Sequence, residues 1–206
     1  PKEEAIHFPA CPSERVVIAV ESVNPSLSAA EFLSQAEHGV DSQAMLVTAS
    51  ESIVEPVMQA IREQLDRLPR KEITEKSLSH SRLIVLKDKQ EVIDFTNLYA
   101  PEHLIIQTTD YADIAGLVEN AGSVFMGPYT PESAGDYASG TNHTLPTNGY
   151  AKAYSGVNLD SFIKKITFQE ITADGIRLVG GTIRTMAANQ QLEPHTKETT
   201  ITMNTL

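Results

Sequence analysis

Five short apolar runs, the first four of them followed by a segment with helical spacing of its apolar residues, constrain the fold more than any other feature. The runs are rich in Val, Ile and Leu, and polar residues do not alternate within them. This pattern is typical of strands buried on both faces. Strands that alternate with helices predict a parallel sheet covered by helices on both sides. The predicted strands are 15–20, 44–48, 83–86, 103–106 and 123–126.

The alternation stops near Ser161, where a short mixed segment leads into a predicted helix over 176–186. Residues 199–203 are predicted to form a terminal strand. We therefore expect an α/β half-domain over 1–157 that carries most of the functional site. The segment 158–206 is too small to fold alone and is expected to dock on a partner subunit. Ligands of parallel sheets gather at the carboxyl ends of the strands, so a site is expected at that edge.

Composition excludes several classes of function. The 27 acidic and 16 basic residues give a formal charge of −11, which argues against nucleic-acid binding. No apolar run approaches the length of a membrane span. The single cysteine, Cys11, cannot form an internal disulfide, which favours a cytoplasmic location. The first residues lack both an initiator Met and a signal-peptide apolar core. We expect that the chain begins partway through a longer one.

The segment 131–143 concentrates Asp, His, Ser, Thr and Asn among small residues. Core burial cannot order a segment with so little apolar content, so a polar partner must hold it. Loops set on a rigid scaffold are common places for binding and catalysis. A solvated surface loop is the alternative.

A first pair of candidate residues lies at a predicted helix end. Gln35 and His38 are three residues apart, so both side chains project from one face, and Gly39 then ends the helix. With Asp136 from the polar segment, they are a candidate set of metal ligands. An ordinary surface pair at a helix terminus remains the alternative.

A second pair, Glu102 and His103, follows Pro101 where a loop enters a strand. Adjacent side chains of an extended chain point to opposite sides, so the two are not expected to bond each other. They are suited to two separate proton transfers, because His titrates nearest neutral pH. A turn-forming proline with a solvated pair is the alternative interpretation.

Other residues carry weaker signals. Ser13 precedes the first strand, where a simple turn is also expected, and His195 lies beside Pro194 in a polar tail, for which plain solvent exposure is the alternative. The sequence contains no P-loop, no CxxC and no GxGxxG fingerprint.

Taken together, several motifs resemble the C-terminal half of the histidinol dehydrogenase family. The longest runs from Gly127 to His143 and reads GPYTPESAGDYASGTNH. The others are LSQAEHG at 33–39, APEHL at 100–104, AGSVF at 121–125, YSGV at 154–157 and LDSF at 159–162. The resemblance implies an α/β fold, an incomplete Rossmann-like parallel sheet with flanking helices plus a small C-terminal extension. It covers nearly all of this chain and about half of a typical family member.

The resemblance implies oxidation of L-histidinol through the aldehyde to L-histidine, with two NAD molecules reduced and one zinc ion per site. It implies a homodimer in which one zinc ligand comes from the other subunit. The implied zinc ligands are Gln35, His38, Asp136 and, across the dimer, His195. The implied acid-base pair is His103 for the alcohol proton and Glu102 for activation of water. The implied substrate-pocket residues are Ser13, His143 and Gln190.

Two positions depart from the family pattern. Cys11 stands where the family has Gly, and Gln190 stands where it has a substrate-binding Glu. The family's NAD contacts lie mostly in the half outside this sequence, so the chain alone is expected not to turn over NAD. The alternatives are a related dehydrogenase of another small polar alcohol and a degenerate fragment that keeps fold and dimer contacts, with or without zinc. A zinc hydrolase would need an open coordination position, which four protein ligands do not leave without expansion.

Overall fold

A computed structural model describes residues 12–20 and 23–205. The chain divides into two compact units, Pro1–Phe162 and Ile163–Leu206. The predicted boundary after residue 157 lies shortly before this division. Docking of the second unit on a partner stays a prediction. Cys11 lies outside the described residues.

The described part of the first unit contains five strands and six α-helices in alternating order. The strands are β1 (Glu14–Ala19), β2 (Gln43–Thr48), β3 (Arg82–Val85), β4 (His103–Gln107) and β5 (Ser123–Met126). The helices are α1 (Pro25–Ala36), α2 (Val54–Leu65), α3 (Lys71–Leu78), α4 (Lys89–Tyr99), α5 (Tyr111–Ala115) and α6 (Glu132–Tyr137). Short 3₁₀ turns lie at Glu51–Ile53, Tyr150–Lys152 and Leu159–Phe162.

The sheet is entirely parallel, with strand order β3-β2-β1-β4-β5. Its order reverses between β1 and β4, as in doubly wound folds. The register pairs Arg15 with His103, so these side chains lie on the same face of neighbouring strands. The predicted fold class is confirmed.

Each face of the sheet is covered by helices. On one face, Val17 and Leu46 pack against Phe32 of α1 and Val57 of α2, all nearly fully buried. On the other face, residues of β1, β2 and β4 pack against α4 and α5. Burying a side chain such as Phe32 stabilises the fold by about 1.5–3 kcal/mol. The continuous apolar runs of the sequence follow from this two-sided burial.

Helix α1 connects the core to the functional site. Asn24 caps it by accepting from the Ser26 backbone N–H at 3.0 Å, and Pro25 occupies the first turn. The helix follows β1 and packs back along the sheet, so its last turn returns to the edge where β1 begins. Gln35 and His38 are thereby carried to the amino-terminal edge of the sheet.

The second unit consists mainly of two packed helices, α7 (Ala173–Asn189) and α8 (Glu193–Asn204). Gly180 lies where the helices approach closely, because a Cβ added there would collide with the Met203 sulfur. Gly181 faces open space. Within the described residues, no helix combines the length and apolarity that a membrane crossing needs.

The predicted terminal strand at 199–203 is wrong, because these residues belong to α8. The β-branched residues of the tail suggested a strand. Pro194 instead starts a helix, and the threonine hydroxyls are satisfied within it. Thr199 Oγ1 donates to the His195 carbonyl and Thr200 Oγ1 to the Thr196 carbonyl. Helices α3 and α5 are short, with eight and five residues.

Candidate active site and metal centre

The candidate residues of the first unit gather at the amino-terminal edge of the sheet. Ser13 precedes β1, while Glu102 and His103 stand at the entrance to β4. The expectation of a site at the carboxyl edge is therefore wrong for this cluster. At the carboxyl edge, Ser28 Oγ donates a 2.7 Å hydrogen bond to Gln107 Oε1.

A chain of hydrogen bonds joins three of the predicted residues. Gln35 Nε2 donates to Ser13 Oγ at 2.8 Å, and Ser13 Oγ donates to Glu102 Oε2 at 2.8 Å. Gln35 is fully buried, and its Oε1 has no hydrogen-bond partner among the described residues. Because Ser13 fixes the amide nitrogen, the amide oxygen is left as a buried acceptor. Such an acceptor is unfavourable unless a donor or cation satisfies it.

Glu102 is a buried carboxylate with a strongly altered proton affinity. Its Oε2 also accepts from the Glu14 backbone N–H at 3.0 Å. Desolvation raises the pKa of Glu102 to about 7, and the hydrogen bonds from Glu14 and Ser13 oppose only part of that rise. Near neutral pH this carboxyl therefore exists in both protonation states, as a group that accepts and returns protons requires.

His103 is almost fully buried at the start of β4. Neither ring nitrogen has a hydrogen-bond partner of normal geometry in the described part of the chain. Its Nδ1 lies 3.6 Å from Glu102 Oε2 with no hydrogen bond between the two, although the side chains are closer than an opposite-side orientation predicts. Burial, followed by the charge of Arg15, lowers the pKa of His103 to about 3. The imidazole is therefore neutral near pH 7.

His38 and Asp136 line one cavity of about 530 Å³. Asp136 lies on α6, within the polar segment that was expected to need a polar partner. The segment is in part helical, with Glu132 and Gly135 buried. Gly135 lies so close to Phe125 that an added Cβ would be 2.6 Å from the ring. Apolar contact therefore contributes to the placement of α6, which the composition of the segment did not indicate.

Three possible metal-ligand atoms lie within 4.8 Å of one another, from His103, Glu132 and Asp136. His38, Glu132 and Asp136 line the same cavity, and Gln35 is buried in the last turn of α1. The residues at this edge thus offer imidazole nitrogen, carboxylate oxygen and a free amide oxygen. These are ligand types that zinc accepts.

A buried ionic network that the sequence motifs did not indicate lies beside this cluster. Arg15 is 1% exposed, and it forms ion pairs with Glu31 of α1 and Glu132 of α6. It also donates to Ser34 Oγ at 2.5 Å and to the Glu31 carbonyl. The sequence signal for this network was Arg15 itself, a charged residue at the start of the otherwise apolar run 15–20. Because a buried charge needs partners, that position predicts carboxylates nearby.

The remaining predicted residues lie at the edge of the cluster or in the second unit. His143 is exposed. Gln190 caps the C-terminal end of α7, while His195 lies in the first turn of α8. Both line one groove of about 520 Å³ within the second unit. The four predicted zinc ligands are thus divided between the two units.

Gly122 holds the backbone of Glu102 in place. Its N–H donates to the Pro101 carbonyl at 2.9 Å, and an added Cβ would be 2.6 Å from the Glu102 carbonyl oxygen. Gly122→Ala is therefore expected to lower the free energy of unfolding by about 1–3 kcal/mol, the usual cost of overpacking. The measurement is urea unfolding, with Gly116→Ala as control because its nearest contact, 3.4 Å, is ordinary. Equal effects of the two substitutions would contradict this role for Gly122.

Comparison with known proteins identifies a family. The family model described as "Histidinol dehydrogenase" matches residues 2–203. A relative described as histidinol dehydrogenase from Bacteroides thetaiotaomicron is 60% identical over 205 residues, covering 100% of this chain and 48% of the relative. A relative from Arabidopsis thaliana, described as chloroplastic histidinol dehydrogenase, is 52% identical, and the match covers 96% of this chain and 42% of the relative.

A solved structure gives the same result. The crystal structure of histidinol dehydrogenase from Elizabethkingia anophelis superposes with a TM-score of 0.88 at 50% identity, covering 96% of this chain and 46% of that chain. The chain thus spans about half the length of the curated relatives that it matches.

Proposed function

The chain belongs to the histidinol dehydrogenase family, and from that membership we propose that it provides the zinc-binding and proton-transfer part of an L-histidinol dehydrogenase. The proposed reaction is the NAD-linked oxidation of L-histidinol to L-histidine. The observation that carries the proposal is the hydrogen-bonded chain from Gln35 through Ser13 to Glu102. It links a candidate metal ligand directly to a candidate catalytic base.

The residues present fit a zinc ion. Gln35 presents a buried amide oxygen with no partner in the described residues, while His38 and Asp136 line the adjoining cavity. We propose these three as ligands and His195 of a second copy of the chain as the fourth. Two imidazoles, a carboxylate and an amide oxygen are a donor set that suits Zn²⁺.

When bound, zinc would hold the imidazole and amino nitrogens of the substrate, and NAD would serve as hydride acceptor. Residues of this chain carry out the proton transfers. His103 accepts the proton of the substrate hydroxyl through a ring nitrogen that has no hydrogen-bond partner in the described residues. Glu102, with a pKa of about 7, accepts a proton from the water that adds to the aldehyde. Ser13, His143 and Gln190 are proposed to contact the substrate.

We propose that the second unit completes the site of another protomer in a homodimer. Its surface exposes many large apolar side chains, which is characteristic of an interaction surface. Those that are more than half exposed are Ile166, Phe168, Ile171, Leu178, Met186 and Ile201. An NAD site is not assigned to the described residues, and we expect the 206 residues alone not to reduce NAD.

Zinc binding tests the proposal. The purified chain, stripped with chelator and titrated with Zn²⁺, is expected to bind one ion per chain. His195→Ala is expected to weaken binding about tenfold or more through loss of a ligand. His80→Ala is the matched control and should leave the affinity unchanged, since His80 is exposed and does not line the cavity that contains His38 and Asp136. Absence of stoichiometric zinc would favour the alternative, a degenerate fragment that keeps fold and dimer contacts.

A further inference from the structure

The guanidinium of Arg15 occupies an unusual position for a metal-binding site. It is the largest fully buried side chain of the described residues and lies on the same sheet face as His103. It interacts electrostatically with Asp136, Glu102 and His38. A fixed positive charge therefore lies among groups that would attract a cation.

Besides Glu31 of α1, this guanidinium contacts Glu132 of α6. Arg15 Nη2 forms an ion pair with Glu132 Oε2, while Glu132 Oε1 lies 3.7 Å from His103 Nε2. Without Arg15, the atoms offered by Glu132, His103 and Asp136 are close enough to share one ion, because all lie within 4.8 Å. A metal ion bound by these three residues would occupy the imidazole of His103, which has no hydrogen-bond partner in the described residues.

We propose that Arg15 is a positioning residue that pairs with Glu132 and so excludes metal from the His103 side of the cluster. The ion pair withholds one carboxylate from coordination and leaves Asp136 as the carboxylate for the metal. It also keeps both nitrogens of His103 free for substrate. This inference rests on the proposed zinc site and specifies which of two ligand sets the metal uses.

Arg15→Met tests the proposal, because Met has similar length and no charge. Zn²⁺ affinity is expected to rise about tenfold or more, since a fixed positive charge disappears and Glu132 becomes available. The gain should vanish in Arg15→Met/Glu132→Gln. Arg15→Lys is the matched control. It keeps a positive charge beside Glu132, so its Zn²⁺ affinity should stay within about threefold of that of the unsubstituted chain.

The loss of Arg15 leaves Glu31 buried without its cation, which destabilises a fold strongly. The double variant Arg15→Met/Glu31→Gln removes that carboxylate. If circular dichroism shows that Arg15→Met is unfolded, the zinc titration is carried out with this double variant. Tighter Zn²⁺ binding by either variant than by the unsubstituted chain supports the proposal. If the unsubstituted chain binds zinc and the folded variant binds no tighter, this inference fails while the zinc site stands. If neither binds zinc, both fail.

Discussion

Replacing Glu102 by Gln is expected to abolish the pH dependence of the unfolding free energy that Glu102 causes. In the unsubstituted chain this free energy should fall by about 3 kcal/mol as the pH rises from 4.5 to 7. Desolvation raises the pKa of Glu102 from 4.5 to about 7 on folding. A carboxyl with a raised pKa in the folded state contributes stability that is fully present below pH 4.5 and is lost as pH rises through 7. A difference of one pKa unit between the folded and unfolded states corresponds to about 1.4 kcal/mol.

The test is urea unfolding of the metal-free protein at several values between about pH 4.5 and pH 7.5, the range that brackets the two pKa values. The unfolding free energy of Glu102→Gln, relative to the unsubstituted chain, should increase steadily over this range and then level off. The low pKa of His103 gives the opposite slope in the same range, and it cancels because both proteins contain His103. Glu119→Gln is the control, since Glu119 is exposed. Parallel profiles for Glu102→Gln and the unsubstituted chain would refute an elevated pKa.

Replacing Asp136 by Asn is expected to weaken Zn²⁺ binding by about 100-fold or more. Residues that only orient metal ligands typically change affinity by about 10–100-fold, and Asp136 is proposed as a ligand itself. Asn keeps the size and hydrogen-bonding shape of the side chain, so the packing of Gly135 on Phe125 and hence the position of α6 should persist. A weaker Zn²⁺ affinity would then result from the loss of the carboxylate's charge and coordination and not from a displaced helix.

The measurement is competition with a chromogenic chelator at constant pH. Asp113→Asn on the exposed surface of α5 is the control and should bind zinc like the unsubstituted chain. A comparable affinity for Asp136→Asn and Asp113→Asn would remove Asp136 from the ligand set.

Much of the fold was predictable because it depends on local patterns. The continuous apolar runs at 15–20 and 103–106 indicated strands covered on both faces. The spacing of Gln35 and His38 indicated a shared helix face, whereas the structure buries Gln35 in the last turn of α1 and leaves His38 exposed beyond the end of that helix. Tail residues 199–203 were misassigned because β-branched residues favour strands, while Pro194 and threonine-to-backbone hydrogen bonds favour the observed helix.

The site was less predictable, because its decisive contacts join residues far apart in the chain. Nothing near Arg15 in the sequence indicates that Glu31 and Glu132 compensate its charge. The amino-edge location follows from the packing of α1 against β1, which no single motif encodes. The hydrogen bond between Gln35 and Ser13 likewise depends on that packing.

X-ray absorption spectroscopy of the zinc-loaded chain tests the central claim most directly, because it counts the imidazole ligands. We predict two imidazoles and two oxygen ligands, with one imidazole lost in His38→Ala, one lost in His195→Ala and none lost in His80→Ala. A spectrum unaffected by His38→Ala, or one with sulfur coordination, would contradict the proposed metal site.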